Sequence, residues 1–130
     1  MKPFNTITKE TPFYYACRHG TLEAVQYFIS NRESLSIRTN FLTQDEHYNI
    51  YHAACMRENE KVLKYLLETL GKDGIKAGGD IGATPLHIAC IFGTVDIVRY
   101  LLENHQWLDL DINGTTHNGQ NLFHMGNYLS

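Results

Sequence analysis

The chain has 130 residues, 43% of them hydrophobic and 19% charged, with a formal net charge of −3. This balance supports a buried core and excludes a disordered chain, while weak overall acidity excludes a general attraction to nucleic acid or to an anionic membrane surface. No apolar run approaches the roughly 18 residues of a membrane helix, and the opening MKPFNTITKE lacks the apolar centre of a secretion signal.

The first predicted elements are two short helices, written by TPFYYAC at 11–17 and its continuation RHGTLEAVQYFISN from Arg18. A polar interval, NRESLSIRTNFLTQDEHY at 31–48, leads to a second pair, NIYHAAC at 49–55 and MRENEKVLKYLLET from Met56. After TLGKDGIKAGGDIGA at 69–83 comes a third pair, TPLHIAC at 84–90 and IFGTVDIVRYLLEN from Ile91. These copies align without gaps over 21 residues, and a fourth begins at Asn121 as NLFHMGN. The spacings from Thr11 to Asn49, Thr84 and Asn121 are 38, 35 and 37 residues.

The third copy shows the grammar of each pair. Thr84 is placed to cap a helix, with Pro85 at the first helical position, where its missing N–H costs nothing. Gly93 can take the left-handed turn that ends it. Thr94 is placed to cap a second helix whose Val95, Val98, Leu101 and Leu102 follow helical spacing, and Asp96 lies at the favourable end of its dipole. Two helices this short cannot bury both apolar faces alone; stacking similar pairs in a row does bury them.

These residues resemble the ankyrin repeat, whose period is about 33 residues and whose signature is T-P-L-H-x-A. GDIGATPLHIACIFGTVDIVRYLLENH at 79–105 is the nearest match, DIN at 111–113 resembles the segment after the second helix, and the resemblance covers roughly residues 8–127. It implies an all-α solenoid of stacked helix–turn–helix units joined by loops or β-hairpin-like turns. The repeats would lie at about 8–40, 45–78 and 80–113, with a partial fourth at 117–130, in one domain over 1–130.

Departures from the pattern carry their own expectations. Tyr14 replaces the motif histidine in the first copy. In the second, Asn49 and Ile50 replace Thr-Pro, Glu58 stands where its neighbours have Gly20 and Gly93, and His47 stands where the third has Gly82. A non-glycine residue in a left-handed turn costs about 1 kcal/mol, so either Glu58 is strained or Asn59 carries the turn, and the middle repeat is expected to be the weak one. The interval 31–48 predicts an extended finger or irregular loop, and Gly71 to Gly82 a mobile connector.

His52-x-x-Cys55 and His87-x-x-Cys90 place metal-ligand types one helical turn apart. Zinc needs its ligands about 2.0–2.3 Å from one ion, whereas equivalent residues of stacked helices lie roughly 8–10 Å apart. The resemblance implies instead that these histidines bind neighbouring loop backbone, so no metal and no cofactor is expected. The same spacing argues against a disulfide among Cys17, Cys55 and Cys90, which are expected to be buried, reduced thiols in a cytoplasmic or nuclear protein. Cys17 with His19, or Cys55 with His52, lacks a third group to orient the base, so no catalytic residue is assigned. GKDGIKAGG at 71–79 lacks the G-x-x-x-x-G-K-[ST] order of a phosphate loop. Lys61, Lys64, Arg99 and Glu103 read as a solvated outer face. Tyr27, Tyr65 and Tyr100 read as packing between outer helices, with their hydroxyls in water.

Function is therefore expected on the surface. The resemblance implies a concave protein-binding face made by loop tips and the exposed ends of first helices. By position these are Arg18 and His19, Met56 and Arg57, Ile91 and Phe92, with Glu46 and Tyr48, then Ile81 and Ala83, at the loop tips. Met56, Ile91, Phe92 and Tyr48, rimmed by Arg57 and Arg18, would form an apolar patch of the kind a protein contact uses. The expected function is a protein–protein interaction module; the alternative is a regulatory or targeting segment of a larger enzyme, channel or secreted effector. The apolar end LFHMGNYLS predicts a sequence cut from a longer protein, or self-association through the incomplete C-terminal repeat.

Overall fold

A computed structural model describes residues 10–57, 59–79, 81–92 and 94–116. Glu58, Gly93 and the fourth copy at 117–130 lie outside the described residues, and with them the expectations placed there. Among the described residues the fold is all helical, without a strand.

The first pair is α1 (Pro12–His19) and α2 (Leu22–Ser30). Thr11 Oγ1 accepts from the Tyr14 N–H at 3.1 Å, and Thr21 Oγ1 from the Ala24 N–H at 3.2 Å, so both helices begin on a side-chain cap. Gly20, between them, is extended rather than left-handed (φ −87°). It must be glycine for another reason: a Cβ there would lie 2.7 Å from the Ala16 carbonyl oxygen.

The second pair is α3 (Ile50–Ala54) and α4 (Glu60–Leu70). Asn49 caps α3 in a capping box with His52. Asn59 neither carries a left-handed turn (φ −111°) nor caps α4 with its side chain. Its Nδ2 instead donates to the carbonyls of Cys17 and Arg18, at 3.2 and 3.0 Å, and so satisfies the end of the neighbouring repeat's first helix.

The third pair is α5 (Pro85–Phe92) and α6 (Val95–Glu103), followed by a single turn, α7 (His105–Leu108). Thr94 does not cap α6: its hydroxyl donates back to the Ala89 carbonyl at 3.4 Å. The buried stripe of α6 is Ile97 and Leu101, while Val95 and Leu102 are exposed. Asn31 and Asn104 close α2 and α6 alike, each donating from Nδ2 to the carbonyl four residues back, Tyr27 and Tyr100.

The first helices stack α1 on α3 on α5, α2 packs on α4, and each first helix packs on its own second helix. Equivalent positions form the core: Cys17 with Cys55, Val25 with Leu63, Leu66 with Leu101. Two expectations change here. Cys90, at the position of the two buried thiols, is exposed, and Tyr27 is 68% exposed. Both changes involve the outermost repeats, which have fewer covering neighbours than the second.

The intervals are partly built structure. Residues 31–48 form an irregular succession of turns, closed where the backbones of Thr43 and Tyr48 pair and Thr43 Oγ1 accepts the Tyr48 N–H at 2.9 Å. His47, inside this turn, is left-handed (φ 60°), as is Gly82 at the matching place (φ 76°), so the second repeat does bear a strained residue there. The glycine-rich connector holds a 3-10 turn, Asp73–Lys76, that buries Ile75 completely. Asn49 Nδ2 donates to the Gly74 carbonyl (2.8 Å) and the Tyr51 hydroxyl to the Gly71 carbonyl (2.6 Å), which fastens the connector to α3.

Candidate protein-binding face

The motif histidines are structural. His52 is fully buried; its Nδ1 accepts the Asn49 N–H at 3.0 Å, and its Nε2–H donates to the carbonyl of Ala83, in the next repeat, at 2.8 Å. His87 repeats the pattern, with Nδ1 on the Thr84 N–H and Nε2 on the Gly114 carbonyl at 3.0 Å. Both ring nitrogens are spent on backbone, so neither ring is free to ligate or to act as a base. Burial lowers the His52 pKa from 6.5 to about 4 and pushes the Cys17 and Cys55 thiols upward, away from nucleophilic use.

Tyr14 holds the histidine position in the first repeat and packs edge-on against Phe41, with ring centroids 5.4 Å apart. Its buried hydroxyl has no hydrogen-bond partner, nor do Glu10 Oε1 and Arg18 Nε beside it. Glu10 and Arg18 form an ion pair at 2.6 Å, and burial raises the Glu10 pKa although Arg18 opposes it.

On the first-helix ends, Arg18 is half-buried and reaches Met56 Sδ at 4.0 Å. His19 and Arg57 are exposed, and the Tyr15 ring lies 4.5 Å from that of His19. Partial burial and the charges of Arg18 and Arg57 lower the His19 pKa, which places these three side chains around one spot. Met56, Ile91 and Phe92 are half-buried, each leaning on the core.

The loop tips differ from expectation. Tyr48 is only 2% exposed and stacks on His52 with centroids 4.5 Å apart, so its ring serves the interior and not the apolar patch. Ala83 is buried, Ile81 is half-buried and Glu46 is exposed. Ile91 also lines a mainly apolar groove of about 490 Å³ with Leu86, Cys90, Leu102 and Ile112, at the far side of the third repeat. The sequence reading missed Glu10 and Tyr15. Glu10 precedes the motif, and only its spacing of eight from Arg18, two helical turns, pointed to the pair.

No helix among the described residues is long and apolar enough to cross a membrane, and no cluster of three or more metal-ligand types lies among them. A family profile described as ankyrin repeats (many copies) matches residues 51–102, and one described as ankyrin repeat matches 8–37. Among curated relatives, palmitoyltransferase AKR1 of Lachancea kluyveri is 32% identical over 113 residues, covering 87% of this chain and 14% of that protein. Palmitoyltransferase AKR1 of Kluyveromyces lactis is 29% identical over 118 residues, 91% of this chain and 15% of that one. Putative ankyrin repeat protein L371 of Acanthamoeba polyphaga mimivirus is 27% identical over 93 residues, 72% and 11%. The chain thus spans less than a sixth of the length of these relatives.

Proposed function

The chain belongs to the ankyrin-repeat family, and on that footing we propose that it is a non-enzymatic protein–protein interaction module whose partner lies along the free ends of the first helices. The contact residues are Arg18, His19, Met56, Arg57, Ile91 and Phe92, with Ile81 at the loop edge. The observation that carries this reading is the contrast between the motif histidines, consumed by backbone, and the neighbouring helix ends, where half-buried apolar side chains sit beside exposed cationic ones. A recognition surface combines an apolar centre with a polar rim in this way.

Phe92 and Ile91 also pack against the core, so the clean test uses Met56 and Arg57. The double variant Met56→Ala/Arg57→Ala is expected to weaken partner capture by at least about tenfold while the melting temperature stays within a few degrees. The outer-face variant Lys61→Ala/Glu103→Ala should leave capture unchanged. Loss of capture in the outer-face variant alone would place the interface elsewhere.

A second reading rests on the relatives, which are several times longer, two of them palmitoyltransferases. In it the chain is a regulatory or targeting segment of a larger enzyme, channel or secreted effector, with the chemistry outside these residues. The reading frame flanking the chain in its source genome separates the two.

A further inference from the structure

The protein is acidic overall, at −3, yet the exposed end of its first two helices is locally cationic. Arg18 is neutralised by Glu10. Arg57 is exposed and makes no ion pair with any described residue. His19 is exposed next to it, and the charges that act on its titration are those of Arg18 and Arg57, both positive. The Met56 thioether, adjacent to Arg57 in the chain, lies half-buried in front of Arg18.

Resting on the interaction-module reading above, we infer that the partner presents an acidic segment here: a peptide that sets a carboxylate between Arg57 and His19 and an apolar side chain on Met56. Charge complementarity carries the choice. A cationic segment would meet three positive side chains and one carboxylate already engaged by Arg18. A neutral one would leave Arg57 and His19 without compensation at the contact. An acidic segment gains at this spot and is repelled by the rest of the negative surface, which fixes its position on the face. The Arg57 guanidinium offers a planar fork that holds a carboxylate through two N–H donors, and the thioether accommodates apolar side chains of different shapes.

The test is a selection from a random 16-residue peptide library displayed on phage, run against the whole chain and against Arg57→Glu, a change at an exposed turn residue. Wild type is expected to enrich peptides carrying at least two acids next to a leucine or an aromatic residue. A synthetic peptide of that kind should bind Arg57→Glu at least about tenfold more weakly, and wild type several-fold more weakly when salt rises from 50 to 300 mM. Circular dichroism melts of the two proteins should coincide.

Enriched peptides that lose binding with Met56→Ala but are no more acidic than the library would overturn this inference and leave the interaction module standing. Enriched peptides indifferent to both Met56→Ala and Arg57→Glu would remove the face itself. A folded wild-type chain that enriches nothing would overturn both.

Discussion

At the scale of single residues, His52 is the most consequential side chain. Its neutral ring accepts one backbone N–H and donates to a carbonyl of the next repeat, and burial holds its pKa near 4 against 6.5 for an unfolded chain. Between those values the unfolded chain takes up a proton that the folded one refuses. The stabilisation is therefore complete above about pH 6.5 and drains away as the pH falls toward 4, by about 3 kcal/mol in all. Urea melts at pH 7, 6 and 5 should show a falling midpoint; a flat profile would mean that the ring is not buried in its neutral form. The histidine was legible in the sequence through its motif, whereas Tyr48 stacked upon it was not. A loop-tip tyrosine reads as surface until the reciprocal Thr43–Tyr48 bonds are seen to fold the loop back over the ring.

At the scale of elements, helix existence was legible and helix ends were less so. Apolar spacing located all three pairs, because that period is a local property. Capping was harder to read, because Thr94 and Asn59 each had a competing acceptor supplied by other turns of the fold: the Ala89 carbonyl for one, the end of α1 for the other. The connector after α4 was read as loose from its glycines, but burial of Ile75 against the second repeat outweighs their backbone freedom. Position along the stack sets what a leucine contributes. Leu66 is fully enclosed, and Leu66→Ala is expected to cost about 2–5 kcal/mol. Leu102 is 41% exposed, where its equivalents Ile29 and Leu67 are 1% and 3%, and Leu102→Ala should cost under about 1 kcal/mol. Chemical denaturation of the two variants decides this, and equal losses would mean that the third repeat's far side is covered in solution.

At the scale of the whole molecule, the two junctions between repeats are built differently. The second and third are joined by the His52–Ala83 bond. The first and second rely on Asn59 and on the Tyr14–Phe41 contact, with the Tyr14 hydroxyl buried and unpartnered, a condition that costs about 1–3 kcal/mol. The strain at His47 is confined to its turn, while all five residues of α3 are buried between neighbours. Native-state hydrogen exchange should therefore find α2 amides opening at lower free energy than those of α4; protection as high in α2 as in α4 would contradict it. The apolar-and-cationic face was legible as positions, since the repeat register places them. Its charge balance was not, because the pairing of Glu10 with Arg18 depends on the chain entering α1 from one side.

The imidazole bonds all point forward along the chain. Take away the succeeding repeat, and a ring is left sealed in the interior with a proton it cannot place; take away the preceding one, and only a carbonyl is bared, which water can serve. A polypeptide emerging from the ribosome meets this asymmetry in time. The second unit cannot complete its bonding until Ala83 has left the exit tunnel, and the third must wait for Gly114. Assembly during synthesis therefore runs with a built-in lag of one loop, each unit locked by the first residues of its successor.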